Sequence, residues 1–222
     1  MNKHALITGT SRGLGLETAK HFLSKGWSVT GISRTQTLTH SNYQHLSADI
    51  SNRDELAKVI SYIRSEIDLL INNAAVFSMQ PFSSESISNI EQIIDINLKG
   101  SIYTTKFCLR QLRSGSKIIF INSVAGLSEL ENQSVYCAAK HGLTAFAGVL
   151  GKELRTQGIK VASIHPGGIN TSLWNASNPY PCGPAESAMP AQAVIDVIDF
   201  IANSVYDVDY KTIKLFPSIE WH

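Results

Sequence analysis

The stretch SVYCAAKHG, Ser134 to Gly142, sets a tyrosine and a lysine four positions apart among small residues that favour a helix. Residues at i and i+4 lie one turn apart on one helical face, so Tyr136 and Lys140 can meet the same ligand or each other. A free tyrosine titrates near pH 10, about three units too high for efficient proton exchange at neutral pH; a nearby ammonium favours the phenolate and lowers it. The chemistry of such a pair is general acid–base transfer. The spacing recurs at Tyr210 and Lys214 in YKTIK. That pair falls in an expected C-terminal strand, where residues four apart share a face yet sit about 13 Å apart. Tyr136 and Lys140 are therefore the candidates.

A second chemical signal is TGTSRGLG, Thr8 to Gly15, placed after the first apolar run and at the start of a helical pattern. Glycines at the first strand-to-helix turn allow a tight turn and close approach of a pyrophosphate. Its charge then meets the free N–H groups of the helix N-terminus. The spacing of Gly9, Gly13 and Gly15 differs from GxGxxG. An acidic residue at the end of the second strand would hold a ribose 2′-hydroxyl and repel a 2′-phosphate. Here that strand ends in ISRT: Ser33 and Arg34 replace the acid, and Arg12 can approach the same place. A guanidinium fork suits a phosphate, so NADP(H) is favoured over NAD(H).

The elements that must position these residues follow a βαβ alternation, the signature of a doubly wound, mostly parallel α/β sheet with helices on both faces. HALIT (4–8), SVTGIS (28–33), YQHLSADI (43–50), DLLINNA (68–74), KIIFINS (117–123), IKVASIHPGG (159–168) and TIKLFP read as seven strands. Apolar runs such as KIIFI imply burial on both faces. Helices are expected after the glycine turn up to Gly26, over 51–67 with Ser51 or Asn52 as cap, over 87–112, from Ser134 to about 157, and over 190–203. Residues 171–190, rich in proline and aromatics, read as a loop over a pocket.

At 222 residues, 43% hydrophobic and 17% charged, the chain fits one domain spanning 1–222. A net charge of +1 without a basic run gives no electrostatic reason for nucleic acid or a membrane surface as partner. The N-terminus lacks the apolar stretch of a signal peptide, and no segment reaches spanning length, so a cytoplasmic location is expected. Cys108, Cys137 and Cys182 are odd in number and widely spaced, which fits reduced thiols, and neither they nor the seven histidines have metal-ligand spacing.

Taken together, the motifs resemble the short-chain dehydrogenase/reductase family in its compact, Rossmann-like form, along almost the whole chain. TGTSRGLG looks like the family's TGxxxGxG turn, NNAA (72–75) like NNAG, YCAAK like YxxxK, and PGGINT like PGxxxT, while INS supplies Ser123. The resemblance implies a catalytic tetrad of Asn97, Ser123, Tyr136 and Lys140. In it Tyr136 protonates a carbonyl oxygen or deprotonates a hydroxyl, Lys140 lowers its pKa and holds the nicotinamide ribose, and Ser123 hydrogen-bonds the reacting oxygen. Asn97 positions a water that links Lys140 to solvent. For the cofactor it implies Gly9, Ser11, Arg12, Gly13, Leu14 and Gly15 in the turn, and Asp49 with Ile50 at adenine. Asn73 and Ala74 fall near the ribose, and Pro166, Gly167, Ile169 and Thr171 by the carboxamide. Ala75 departs from the family glycine, placing a methyl group where positive φ would be costly.

The implied activity is carbonyl–hydroxyl interconversion by hydride transfer on a small molecule. A dinucleotide sensor or partner-binding protein on the same fold is the alternative, because fold does not fix function. An epimerase or dehydratase is disfavoured by the glycine spacing and the absence of an added substrate domain. Leu173, Trp174 and Tyr180 suggest an apolar wall, and Glu129 and Glu131 place acidic groups at the entrance. Ala138, Ala139, Gly142, Ala145 and Gly148 allow close helix approach, and the resemblance implies a homodimer or homotetramer.

Overall fold

The computed structural model describes residues 2–175, 178–205 and 207–220. Seven strands form one sheet: β1 (His4–Thr8), β2 (Ser28–Ser33), β3 (Tyr43–Ser47), β4 (Ile67–Asn72), β5 (Leu112–Ile121), β6 (Lys160–Pro166) and β7 (Thr212–Leu215). Their order is β3-β2-β1-β4-β5-β6-β7, and every pairing is parallel, which sharpens the expectation of a mostly parallel sheet. The chain winds outward from β1 in one direction, then returns to β4 and winds in the other. The crevice between β1 and β4 is thus the topological switch point, where ligands of such sheets bind.

Alternation along each strand sends neighbouring side chains to opposite faces. Ala5, Ile7, Leu69, Ile71, Ile119 and Ile164 pack on one face with Phe22 of α1 (Gly13–Ser24) and Ile198 of α6 (Ala191–Asn203). Leu6, Leu70, Ile118 and Phe120 face the other way. They meet Leu56 of α2 (Arg53–Ile60), Cys108 of α4 (Ser101–Cys108) and Leu150 of α5 (Ser134–Leu154). Each fully buried aliphatic or Phe side chain contributes about 1.5–3 kcal/mol, so the two cores dominate the stability.

The sequence boundaries shift in physical ways. Strands expected over 43–50, 68–74 and 159–168 are trimmed at their ends. Asn52, not Ser51, caps α2: its side chain accepts from Asp54 and Glu55 N–H at 3.2 Å. That helix stops at Ile60 rather than running to 67. The helix expected over 87–112 is α3 (Ile87–Ile94), a π-helical turn (Asp95–Gly100), α4 and a 3₁₀ turn (Leu109–Gln111). β5 therefore begins at Leu112 instead of 117. Its pairing with β4 shifts register between Ile67 and Leu69, beside Gly115 at φ +91°. Ala75 does not carry positive φ: among the described non-glycine residues only Asn132 does, at +61°. Within 171–190 the described residues form loop, held at its neck by an Ile169–Met189 bridge, and one 3₁₀ turn (Ala185–Ser187).

Candidate active site

One cavity of about 890 Å³ lies along the carboxyl ends of β1 to β6. The glycine turn forms one end. Gly9 and Gly13 have φ of +75° and +56°, and a Cβ on Gly9 would stand 2.8 Å from the Ala74 Cα. Gly15 lacks room for a Cβ because the Gly9 carbonyl and the Asn73 amide press against it. Asn73 donates its Nδ2 to the Thr8 carbonyl at 2.9 Å, and the Thr8 hydroxyl accepts from the Asn73 and Ala74 N–H groups at 3.0 and 3.1 Å. NNAA thus acts as a buttress that stitches β4 to the glycine turn. Helix α1 has no side-chain cap and no acid in its first turn, leaving its N-terminal dipole available to an anion. This cradle fits a pyrophosphate.

Ser11, Arg12 and Leu14 border the cavity beside the glycines. Arg34 is two-thirds exposed and stands 3.8 Å from the Asp49 carboxylate. Burial raises the Asp49 pKa, but hydrogen bonds from Ser51 and the nearby Arg34 outweigh it and leave the group below its ordinary value. Ile50 also lines the cavity. Ser33 does so too, but its hydroxyl donates to the Thr35 carbonyl at 2.9 Å and lies 3.1 Å from His45 Nε2. Arg34 rather than Ser33 is therefore the group at the end of β2 presented to a ligand. Pro166, Gly167, Ile169 and Thr171 form the wall beyond β6. The Ile169 carbonyl accepts from the Trp174 indole N–H at 2.9 Å.

At the other end stand Ser123, Tyr136 and Lys140. Asn122 fixes the end of β5 to α5: its Nδ2 donates to the Thr144 hydroxyl at 2.9 Å and its Oδ1 accepts the Ser123 N–H at 3.0 Å. The Ser123 carbonyl meets His165 Nδ1 at 2.9 Å. The Ser123 hydroxyl accepts from Ala125 N–H at 3.1 Å, capping a 3₁₀ turn (Val124–Gly126), and it acts to lower the pKa of the Tyr136 phenol. Lys140, 2% exposed, donates Nζ to the Ile121 carbonyl at 3.0 Å and stands 5.6 Å from the Tyr136 ring centroid.

Electrostatics here depart from the sequence expectation. Burial, not Lys140, sets the direction of the Tyr136 shift. Burial pushes the phenol up to about 12, with the Ser123 side chain opposing it, and burial lowers the Lys140 ammonium to about 7. Each group is penalised for carrying charge in a low-dielectric wall. A lysine only partly protonated at neutral pH is a weak source of the field the phenolate needs.

Asn97 does not line the cavity. It sits in the π-helical turn, donating Nδ2 to the Val76 and Ile93 carbonyls at 2.9 and 3.0 Å and accepting the Val76 N–H at 3.2 Å. Its amide holds the loop after β4, and that loop places Phe77 edge-on against Tyr136 at 4.9 Å between centroids. The sequence reading missed Phe77, Met79, Gln133 and Glu220 as cavity residues. Phe77, two positions past NNAA, could have been suspected; Glu220 carried no signal. Glu131 borders the cavity and Glu129 does not. The Tyr210 phenol lies 3.1 Å from the Ser204 hydroxyl and its ring packs on Phe200, away from the cavity.

Residues 3–180 match the family model for short chain dehydrogenase, and the chain belongs to that family. It is accordingly an oxidoreductase of the CH–OH/C=O class that uses a nicotinamide dinucleotide. It is 26% identical over 227 residues to an uncharacterised oxidoreductase of Staphylococcus epidermidis, covering 97% of each chain. It is 29% identical to the mitochondrial D-beta-hydroxybutyrate dehydrogenase of Mus musculus, over 78% of this chain and 57% of that protein. Its fold matches a serine dehydrogenase solved in a closed form with NADP+ at a TM-score of 0.89, with 24% identity, 99% of this chain and 96% of that one. Among the described residues no helix is long and apolar enough to cross a membrane.

Proposed function

We propose that this chain interconverts a small-molecule carbonyl and its alcohol with NADP(H), Tyr136 acting as general acid in reduction and general base in oxidation. The observation that carries this reading is the convergence of Ser123, Tyr136 and Lys140 at one end of a cavity whose other end is the glycine turn. When bound, the nicotinamide supplies or accepts the hydride. Ser123, which lines the cavity with Tyr136, orients the reacting oxygen toward the phenol. Lys140 holds the ribose and lends its charge when protonated, and Asn97 shapes the site through Val76. The glycine turn and the α1 N-terminus hold the pyrophosphate, Asp49 and Ile50 the adenine, and Asn73, Ala74, Ile169 and Thr171 the ribose and carboxamide. Arg12 and Arg34 border the adenosine end and no acid stands at the end of β2, which supports a 2′-phosphate and hence NADP(H). Phe77, Leu130, Leu173 and Trp174 give the substrate side an apolar wall. Free thiols at buried Cys108 and Cys137 support a reducing cytoplasm, and the exposed Ala138, Ala145 and Gly148 on α5 support a homodimer or homotetramer.

Titration with NADPH and NADH, followed by nicotinamide absorbance against a panel of ketones and aldehydes, tests the reading. NADPH should bind tighter, and Arg34→Asp should narrow that preference by about tenfold, the worth of one charge-assisted contact at an exposed site. Tyr136→Phe should keep NADPH binding while losing about 10²–10⁴ in turnover. Binding without turnover on a broad panel would favour a dinucleotide sensor; failure of both nucleotides to bind would sink the proposal.

A further inference from the structure

The carboxylate of Glu220 is buried, 8% exposed, at the far side of the same cavity. Its Oε1 accepts the Gly168 N–H at 2.8 Å and the Tyr180 hydroxyl. These bonds join three segments distant in sequence: the tail after β7, the turn after β6, and the loop over the cavity. The seat is carved by glycine. A Cβ on Gly167 would strike the Glu220 carboxylate, and one on Gly168 would lie 2.8 Å from both Glu220 Oε1 and Tyr180 Cζ. Neither glycine has positive φ, so their service here is space rather than backbone freedom.

From Tyr180 the contact continues inward. Its ring meets Trp174 at 5.0 Å between centroids, Trp174 meets Phe77 at 5.3 Å, and Phe77 meets Tyr136 at 4.9 Å. Aromatic pairs at such separations add about 0.5–1.5 kcal/mol each beyond the area they bury. The loop has other anchors: the Met189 N–H donates to Gly168 O at its neck, and Met79 N–H donates to Asn178 Oδ1 at 3.1 Å. The Glu220 bonds tie its aromatic inner face to the tail.

We propose that Glu220 is a positioning residue, a clamp by which the C-terminal tail holds Tyr180, and through Trp174 and Phe77 the whole aromatic column, closed over Tyr136. Lys140 is bonded to the Ile121 carbonyl of β5, Ser123 is bonded to Asn122, Ala125 and His165, and Tyr136 stands on α5 beside Lys140, none of this through the tail, so loosening the clamp leaves the proton-transfer groups in place. What it removes is the ordered wall that holds the substrate. The kinetic part rests on the reading of Tyr136 as acid–base; the structural part does not.

The experiment pairs hydrogen exchange with kinetics for Glu220→Ala, Tyr180→Phe and Glu220→Gln, whose amide oxygen can still accept. Glu220→Ala and Tyr180→Phe should speed exchange across 169–189 by roughly tenfold while β1, β4 and β5 exchange as in wild type. KM should rise by roughly tenfold with kcat within about threefold, the pattern of lost binding rather than lost chemistry. Glu220→Gln should restore most of the protection and of the KM. Wild-type exchange at 169–189 in Glu220→Ala, or acceleration spread evenly over the sheet, would overturn the clamp. So would a loss confined to kcat. Should wild type turn over no substrate, the reading of Tyr136 fails and the exchange data still decide the clamp.

Discussion

Tyr136 and Lys140 illustrate how burial and proximity compete at a single pair of residues. Spacing alone predicts a lysine that pulls the phenol down, yet burial drives the two apart: the phenol to about 12, the ammonium to about 7. The consequence for stability has a definite sign. A lysine lowered in the folded state binds fewer protons than in the unfolded chain between about pH 7 and 10.5, so stability rises with pH through that window. The raised phenol acts in the next window: its contribution is complete below pH 10 and is lost as pH climbs toward 12. Ligand-free wild type should therefore gain stability relative to Lys140→Met from pH 7 to 10, by at most about 1.4 kcal/mol per pH unit. Urea midpoints across that range measure it. A constant difference would mean that Lys140 keeps its ordinary pKa, and that water reaches the wall.

Asn97 belongs to the scale of the element. A π turn inside an otherwise α-helical run is uncommon and marks positions where a side chain is re-aimed. Here it buries Asn97 at 1% exposure with its amide spent on Val76 and Ile93. Asn97→Ala should orphan the Val76 N–H and carbonyl, costing about 1–3 kcal/mol in thermal or urea unfolding, and should lower activity through Phe77 rather than through the cofactor. NADPH affinity near wild type with reduced turnover is the expected split; lost cofactor binding would place Asn97 in the cofactor site instead. The same segment shows what the sequence could carry. The π turn has no signature in DINLKG, whose apolar spacing suits an α-helix. Strands such as KIIFI and HALIT were legible because both faces are buried. The start of β5 was not, since LRSGS reads as a helix end until Ser116 is seen donating its hydroxyl to the Ile67 carbonyl at 2.7 Å. Motif residues at strand ends could be read locally, whereas Tyr180 meets Glu220 across forty positions without periodicity.

For the whole molecule, the parallel sheet explains why one cavity gathers residues from the ends of six strands: their carboxyl ends all point the same way. It also leaves the outer face of α5 to be accounted for. Leu143, Ala147, Leu150 and Leu154 turn toward the sheet, and Gly142 lets Leu98 of the π-helical turn approach. That separates the small residues into two roles. Ala139 and Gly142 serve packing within the chain, while Ala138, Ala145, Gly148 and Val149 are exposed, Val149 at 51%. A row of small side chains beside an exposed valine permits a second helix to approach closely, with apolar area as the gain. Sedimentation of the 24.3 kDa chain should give a dimer or tetramer, and Ala145→Arg should shift it toward monomer by placing a charge in the contact. NADPH binding should survive that change, because Ala145 lies outside the cavity. A wild-type monomer at micromolar concentration would return the row to ordinary surface.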